Sequence, residues 1–569
     1  LEKTGAGTLT LGGSNTYGGA TTLSQGTLVF AADQSLTTVN HALNFGASAG
    51  STAAFALDLS TASARFGGSM LVQTNNATAN TITIGTGKTL QIDRTVTIGY
   101  NSGVNSTTKL NISGAGTFKV GDVGAPTNLS FLVGNGSTST FSNAGTLDLS
   151  GLGIFYANLG SGTFRVGSAT NTTGTAAAGS TVIMAANSTI FATTLTADSP
   201  DSGQVQAVKL GSGTNELNVN TINLGGNGRS SATMDFNGLS GTVKIRALDG
   251  AGRAAMNVGS GSFNTGAVPS GTVDFTGHSA DLLLATLAVG GRSAFTTSNG
   301  LGTFSFDTGT LDATTVNIAS RTGTTATSGS VTGTVNLGGG TVTIGTMTMG
   351  TNSVTTASST GDAVSTLNIS AGTVSINALT MGVNTVAAAF ASGSNTDATL
   401  NISGGATTVN TTFTMGAQNS ALDAGVTVNS ALSALNISAG SLTLAGSTNL
   451  TMGATTLDAH NPATANINIT GTGILTVGGN IQYTNGLGTE TNTITLDGGT
   501  LDMTSGNIGA TGALITFNAQ AGTLRNLAQL NGGGVLTKST TGTLLLDTAN
   551  TFTGGVSISA TGGKVIAGH

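Results

Sequence analysis

Apolar and polar residues alternate along almost the whole chain, in runs of four to six residues such as "TLNIS", "TVSIN" and "ALTMG". A period of two sends every second side chain to the same face of an extended segment. Glycine-rich turns separate the runs, so the pattern predicts short, half-buried strands. Helical patterning is nearly missing. Apolar residues rarely recur at three-and-four spacing, and glutamate occurs only at Glu2, Glu216 and Glu490.

A second, longer period lies above the first. A short motif (apolar, any residue, apolar, then usually glycine) ends at Gly67, Gly99, Gly134 and Gly167, degenerates at Asp198, and returns at Gly225, Gly259, Gly290, Ala319, Gly350, Gly382, Gly416 and Gly453, with a weak copy at Thr484. Gly99 to Thr484 is twelve steps of about 32 residues. Polar residues in "LNIS"-like strands form a parallel series: Asn111, Asp148, Asp235, Asp274, Ser305, Asn336, Asn368, Asn401, Asn436 and Asn468. The stretch from this series to the next glycine is steady, and the return stretch varies. Each unit therefore has a fixed part of three short strands and one connection of variable length.

Three strands joined by tight turns make one coil of a β-helix. The expected fold is all-β: a single-stranded parallel β-helix solenoid of about 32 residues per coil, right-handed by analogy with parallel crossovers. Inward Leu, Ile, Val, Phe and Met stack on their equivalents one strand spacing away, about 4.8 Å. Outward Asn336, Asn368, Asn401, Asn436 and Asn468 are positioned for a structural polar ladder along the axis. A string of β-sandwich domains is the rival reading, but sandwiches use strands of varied length and more aromatics.

Composition narrows the function. Charged residues are 7% of 569, against about 25% in an average soluble domain. Only 17 Lys and Arg are spread over the chain, too sparse for a nucleic-acid surface. No apolar stretch of about 18 residues suggests a transmembrane segment. With no cysteine, neither disulfides nor thiolate metal sites can form. Leu1 in place of methionine suggests a processed or partly covered chain.

Candidate chemistry is thin. Asp235 and Asp274 fall in the polar series among neutral neighbours and read as variants of it. Asp198 and Asp201 in "ADSPDSG" read as a turn. His41, His278, His460 and His569 are far apart, and a metal or nucleophile site needs at least two to converge. Arg229, Arg253, Arg292 and Arg321 could form a basic stripe for acidic polysaccharide, but their irregular spacing favours isolated solvated residues. Tyr17, Tyr100, Tyr156 and Tyr483 form no row. "GGNGRSS" lacks the aspartate of calcium-binding nonapeptides. No catalytic residue, metal or cofactor is expected.

The two ends carry one phrase. Leu1, Lys3, Gly7, Leu9, Leu11, Asn15 and Tyr17 correspond to Leu536, Lys538, Gly542, Leu544, Leu546, Asn550 and Phe552. "GAGTLTL", "SNTYGG" and "GTL" at the start, and "TGTLLLDTANTFTGG" at the end, resemble the autotransporter-associated β-strand repeat of bacterial secreted proteins. The resemblance implies an exported or cell-surface β-helix. The expected organisation is one continuous β-helix over 1–569, with repeats at 1–30 and 536–569 around central coils at 31–535. Open coil ends expose strand edges. The expected partner is therefore a second copy, stacked head to tail through Leu9, Leu11, Tyr17, Leu23, Leu544, Leu546, Phe552 and Ile558 into a non-enzymatic extracellular fibre or sheath. Alternatives are an adhesin or stalk segment that binds cell-surface or matrix glycans through the connections Thr351–Ser365 and Val383–Thr399, and a polysaccharide-degrading enzyme.

Overall fold

The computed structural model describes residues 1–46, 52–75, 79–99, 106–121, 128–134, 143–168, 179–199, 204–226, 230–261, 270–292, 299–323, 329–354, 361–386, 394–418, 430–455, 462–486 and 489–568. None of these residues is helical, and the strands pair in parallel throughout the recorded ladders of the main sheet. The chain is an all-β parallel β-helix. It divides into two compact units, Leu1–Ser260 with Gly266–Ala285, and Gly261–Thr265 with Thr286–His569.

In the first unit, Gly26–Phe30, Gln34–Leu36 and Leu43–Phe45 supply the three sides of one coil. Phe55–Leu59, Ala64–Phe66 and Met70–Val72 lie on them in parallel register, Leu28 against Leu57, Leu36 against Phe66 and Phe45 against Val72. The second unit repeats the plan with longer strands. Val331–Leu337 and Thr341–Val354 are followed in register by Ala363–Ile369 and Thr373–Val386.

Register turns the alternating sequence into columns. Inward residues are buried at every second position, and many stand on a residue of similar shape. Phe131 and Phe164 stack with ring centroids 4.8 Å apart and planes 6° from parallel. Met349, Met381, Met415 and Met452 form a buried column in the second unit. Each full burial of a large apolar side chain contributes about 1.5–3 kcal/mol.

Coil length varies around the 32-residue beat. Successive rungs of the asparagine series are 31 to 35 residues apart. Elsewhere equivalent positions are separated by up to 39. The repeat coils are much shorter: 19 residues from Asn15 to Gln34, and 22 from Arg525 to Asp547. They close three sides without the longer connection that central coils insert at one corner.

The glycine mark is the residue that turns that corner. Gly99, Gly134, Gly167, Gly225 and Gly259 in the first unit, and Gly290, Gly350, Gly382, Gly416 and Gly453 in the second, all have a left-handed backbone. Ala319 occupies the same place with φ 53°, its small side chain buried against Val331 and Ala363. Gly67 does not belong to this series: it lies between Ala64–Phe66 and Met70–Val72, one corner earlier, and Gln73 holds the place of Gly99. At Gly67 a Cβ would lie 2.1 Å from the Thr37 carbonyl oxygen.

A paired substitution tests this account. Gly382 has φ 64°, and an added Cβ would lie 2.4 Å from Ser433 Oγ. Gly382→Ala is expected to lose at least about 1–2 kcal/mol. Ala319→Gly releases similar strain and loses about 0.5–1 kcal/mol of backbone entropy, so it stays within about 1 kcal/mol of the parent. Urea unfolding of the two variants beside the parent checks the contrast.

Candidate functional site: the ladder and the end coils

A chain of side-chain amides links successive coils of the second unit. Asn336 donates from Nδ2 to Ser305 Oγ at 3.1 Å. Asn368 donates to Asn336 Oδ1 at 2.8 Å, Asn401 to Asn368 at 2.9 Å, Asn436 to Asn401 at 2.9 Å and Asn468 to Asn436 at 2.8 Å. An asparagine suits this role because its amide donates on one side and accepts on the other. The strands bring the residues together directly: Asn368 is in register with Asn336 and with Asn401.

The acidic members of the series are used singly. Asp235 Oδ2 accepts from Lys209 Nζ at 2.6 Å. Asp274 Oδ1 accepts from the Thr276 backbone N–H at 3.0 Å and its hydroxyl at 2.7 Å, and Asp148 Oδ1 from the Ser150 N–H at 2.9 Å. Among the described residues no group of three or more His, Asp or Glu is placed to hold a metal ion. His41 is buried, with Nε2 2.7 Å from the Tyr17 carbonyl oxygen, and His278 stacks on Phe236 at 3.8 Å. Tyr100, Asp201, Arg229, His460 and His569 lie outside the described residues, as do 355–360 and 387–393 of the two connections named for glycan binding.

Two sequence expectations need correction. Arg292 and Arg321 are not solvated arginines. Both are buried at a corner, and burial pushes each guanidinium down to about 10. Arg253, by contrast, is exposed and donates to the Leu284 carbonyl. Asp198 is not an exposed turn residue. It is buried and paired with Arg165 Nη2 at 2.5 Å. Burial raises its carboxyl above the ordinary value, with Arg165 opposing. Periodicity alone could not reveal either case, because a charged residue at or just after the mark reads the same whether it points in or out.

The end coils share one unusual element. Lys3 and Lys538, equivalent in the repeated phrase, both bury their ammonium groups. Lys3 Nζ donates to the Gly5 carbonyl and to the Gln25 carbonyl at 3.2 Å. Lys538 Nζ donates to the Thr540 carbonyl and to Thr540 Oγ1 at 2.9 Å. A buried ammonium persists only when hydrogen-bonded, and here a carbonyl two residues on supplies one bond, with Gln25 of the next coil adding another for Lys3 and the Thr540 hydroxyl for Lys538. The sequence shows this lysine twice without indicating that it points inward.

The proposed interface residues divide into two groups. Leu9, Leu11, Tyr17, Leu546 and Phe552 are half-buried, and Ile558 is 51% exposed. Tyr17 hydroxyl lies 2.6 Å from Thr21 Oγ1. Leu23 and Leu544 are wholly covered by this chain, so they support the end coils from beneath and are unavailable at an open face. Ile558 is in register with the buried Lys538, and exposed Val556 with the buried Leu536. A shallow groove of about 230 Å³ lies elsewhere on the second unit, lined by Thr411, Thr414, Ser447, Asn449, Thr451 and Gln482 among others. Among the described residues, no helix is long and apolar enough to cross a membrane.

Residues 1–30 and 536–560 match the passenger-associated-transport-repeat family. No curated protein and no solved structure matches the chain. That repeat at both ends of a β-helix supports an autotransporter passenger-like repeat protein, and the family points to a secreted or surface-exposed setting.

Two outcomes follow from this geometry. Asn401 sits inside the ladder and makes one bond up and one down, so Asn401→Ala is expected to cost about 1–2 kcal/mol in urea unfolding, and Asn468→Ala about half as much. For Asp198 the folded carboxyl holds its proton to higher pH than the unfolded one, so the native state binds more protons just above pH 3.8. Its contribution to stability therefore falls as pH rises from that unfolded value through the raised folded one. Asp198→Asn should remove that slope from urea midpoints measured between about pH 3 and 7.

Proposed function

We propose that this protein is a non-enzymatic structural component of the bacterial exterior, and that its passenger-associated repeats are stacking joints. The observation that carries this reading is the likeness of the two end coils. Each is short, has no long connection and buries the same lysine against its own turn. A β-helix coil pairs through its main chain, so a coil of one repeat is a template for a coil of another. Val556 and Ile558 are inward-facing by register and uncovered. Another repeat coil, from a second copy or from further sequence of the same polypeptide, would cover them. Stacking between copies is heterologous and does not close, so it produces a fibre. The low charge leaves little repulsion between copies.

A second reading, a glycan-binding adhesin or stalk, draws on the groove beside Thr414 and Thr451. The residues lining it are largely hydroxyl- and amide-bearing and none is charged, a chemistry suited to neutral sugars.

Sedimentation velocity and negative-stain microscopy of the purified chain test the first reading. Particles should lengthen with concentration, and Ile558→Lys or Leu9→Lys should abolish the lengthening while leaving the β-sheet circular dichroism unchanged. A parent protein that stays monomeric at every concentration refutes assembly by copies, and glycan-array binding lost in Thr451→Arg would favour the adhesin.

A further inference from the structure

A buried polar side chain recurs two residues after the left-handed corner. In the second unit the series is Arg292 after Gly290, Arg321 after Ala319, Asn352 after Gly350, Asn384 after Gly382 and Gln418 after Gly416. Register stacks Arg321 on Asn352, Asn352 on Asn384 and Asn384 on Gln418. Arg321 Nη1 donates to Asn352 Oδ1 at 2.9 Å. These positions therefore form a polar column at the corner from which the long connections leave.

Four members reach the same kind of acceptor. Arg292 Nη2 donates to the Asn299 carbonyl at 2.7 Å, Arg321 Nε to the Gly329 carbonyl at 2.8 Å, Asn352 Nδ2 to the Gly361 carbonyl at 3.4 Å and Asn384 Nδ2 to the Ser394 carbonyl at 2.7 Å. Each acceptor lies just ahead of the next coil's first strand, at Gly300–Phe306, Val331–Leu337, Ala363–Ile369 and Thr396–Gln418. The separations are 7, 8, 9 and 10 residues, yet the contact is the same. Asn384 Nδ2 also reaches the Ser430 carbonyl at 3.2 Å, the same foot one coil further on.

We propose that these side chains are loop clamps: each ties the outgoing foot of the variable connection to its incoming foot at the coil wall. The connection's length and sequence can then change without disturbing the coil. A carbonyl at the incoming foot is drawn out of water where the chain re-enters the wall, and an unpaired buried carbonyl is strongly unfavourable. Arg, Asn and Gln share what the position requires, a planar N–H donor on a stem long enough to cross the corner. Leucine or ionised aspartate cannot donate there. This makes the corner an insertion-tolerant edge of the protein, and it stands whether the chain serves as fibre or adhesin.

The test uses the full chain and amide hydrogen exchange. Asn384→Leu should speed exchange at Thr396–Ala398 by about tenfold or more, while the exposed Asn410→Leu, whose amide bonds Ser375 Oγ, leaves those amides unchanged. A Gly/Ser insertion of about eight residues between positions 389 and 390 should leave exchange at Thr396–Ala398 within about threefold of the parent. The same insertion between Ala371 and Gly372, a tight turn with φ 84° at Gly372, should speed exchange at Thr373–Ile376 by about tenfold or more. Unchanged exchange in Asn384→Leu, or equal disturbance by the two insertions, overturns the proposal. Should Asn384→Leu fail to fold, the insertions in the parent background decide it.

Discussion

Within each unit, the described strands of one coil are hydrogen-bonded in parallel to those of the next, about 4.8 Å away, and the rest of the structure answers to that pairing. A side chain has an equivalent side chain above it and another below, so its best partner is something like itself. Phe131 lies on Phe164, Met381 between Met349 and Met415, Asn401 between Asn368 and Asn436. An amide tolerates being stacked on its own kind because it both donates and accepts. A carboxylate or an ammonium does not, since like charges at this spacing repel.

That constraint accounts for the low charge. Several ionised residues are paired across neighbouring coils: Arg65 with Asp93, Lys209 with Asp235, Arg246 with Asp281, Arg525 with Asp547; Asp148 and Asp274 instead accept from the backbone of their own turns. Arg165 and Asp198 are the buried instance. The buried lysines of the two repeats follow another solution, each bonded to a carbonyl of its own turn. Chemistry that depends on several charged groups converging would have to oppose the stacking rule, and a structural role works with it.

Variation is concentrated at the corner after each left-handed residue. The three sides are held by ladder bonds on both edges, so an inserted residue within a strand would shift a whole coil out of register. At the corner the backbone leaves one ladder and joins the next, and the buried Arg and Asn side chains bridge the two feet. The longest connections leave at this corner, and shorter insertions are taken up between the second and third sides, as at 247–252.

The alternation of apolar and polar residues, the 32-residue beat and the repeated phrase at the ends were enough to specify a parallel β-helix, because periodicity is a property of neighbours along the chain. The same information marked Gly382 and Ala319 as one kind of position, and the backbone angles there explain why a small residue is needed. The inward turn of Lys3, Lys538, Arg292 and Arg321 was not legible. Whether a charged side chain beside a corner points into the wall or into water depends on which carbonyls the next coil leaves unpaired, and those carbonyls belong to residues brought close only when one coil settles on another. Coil lengths of 19 residues at one end and 35 in the middle are likewise decided by where the chain re-enters the ladder. Sequence determined what stacks; the stacked structure alone determined which polar groups had to be buried to close it.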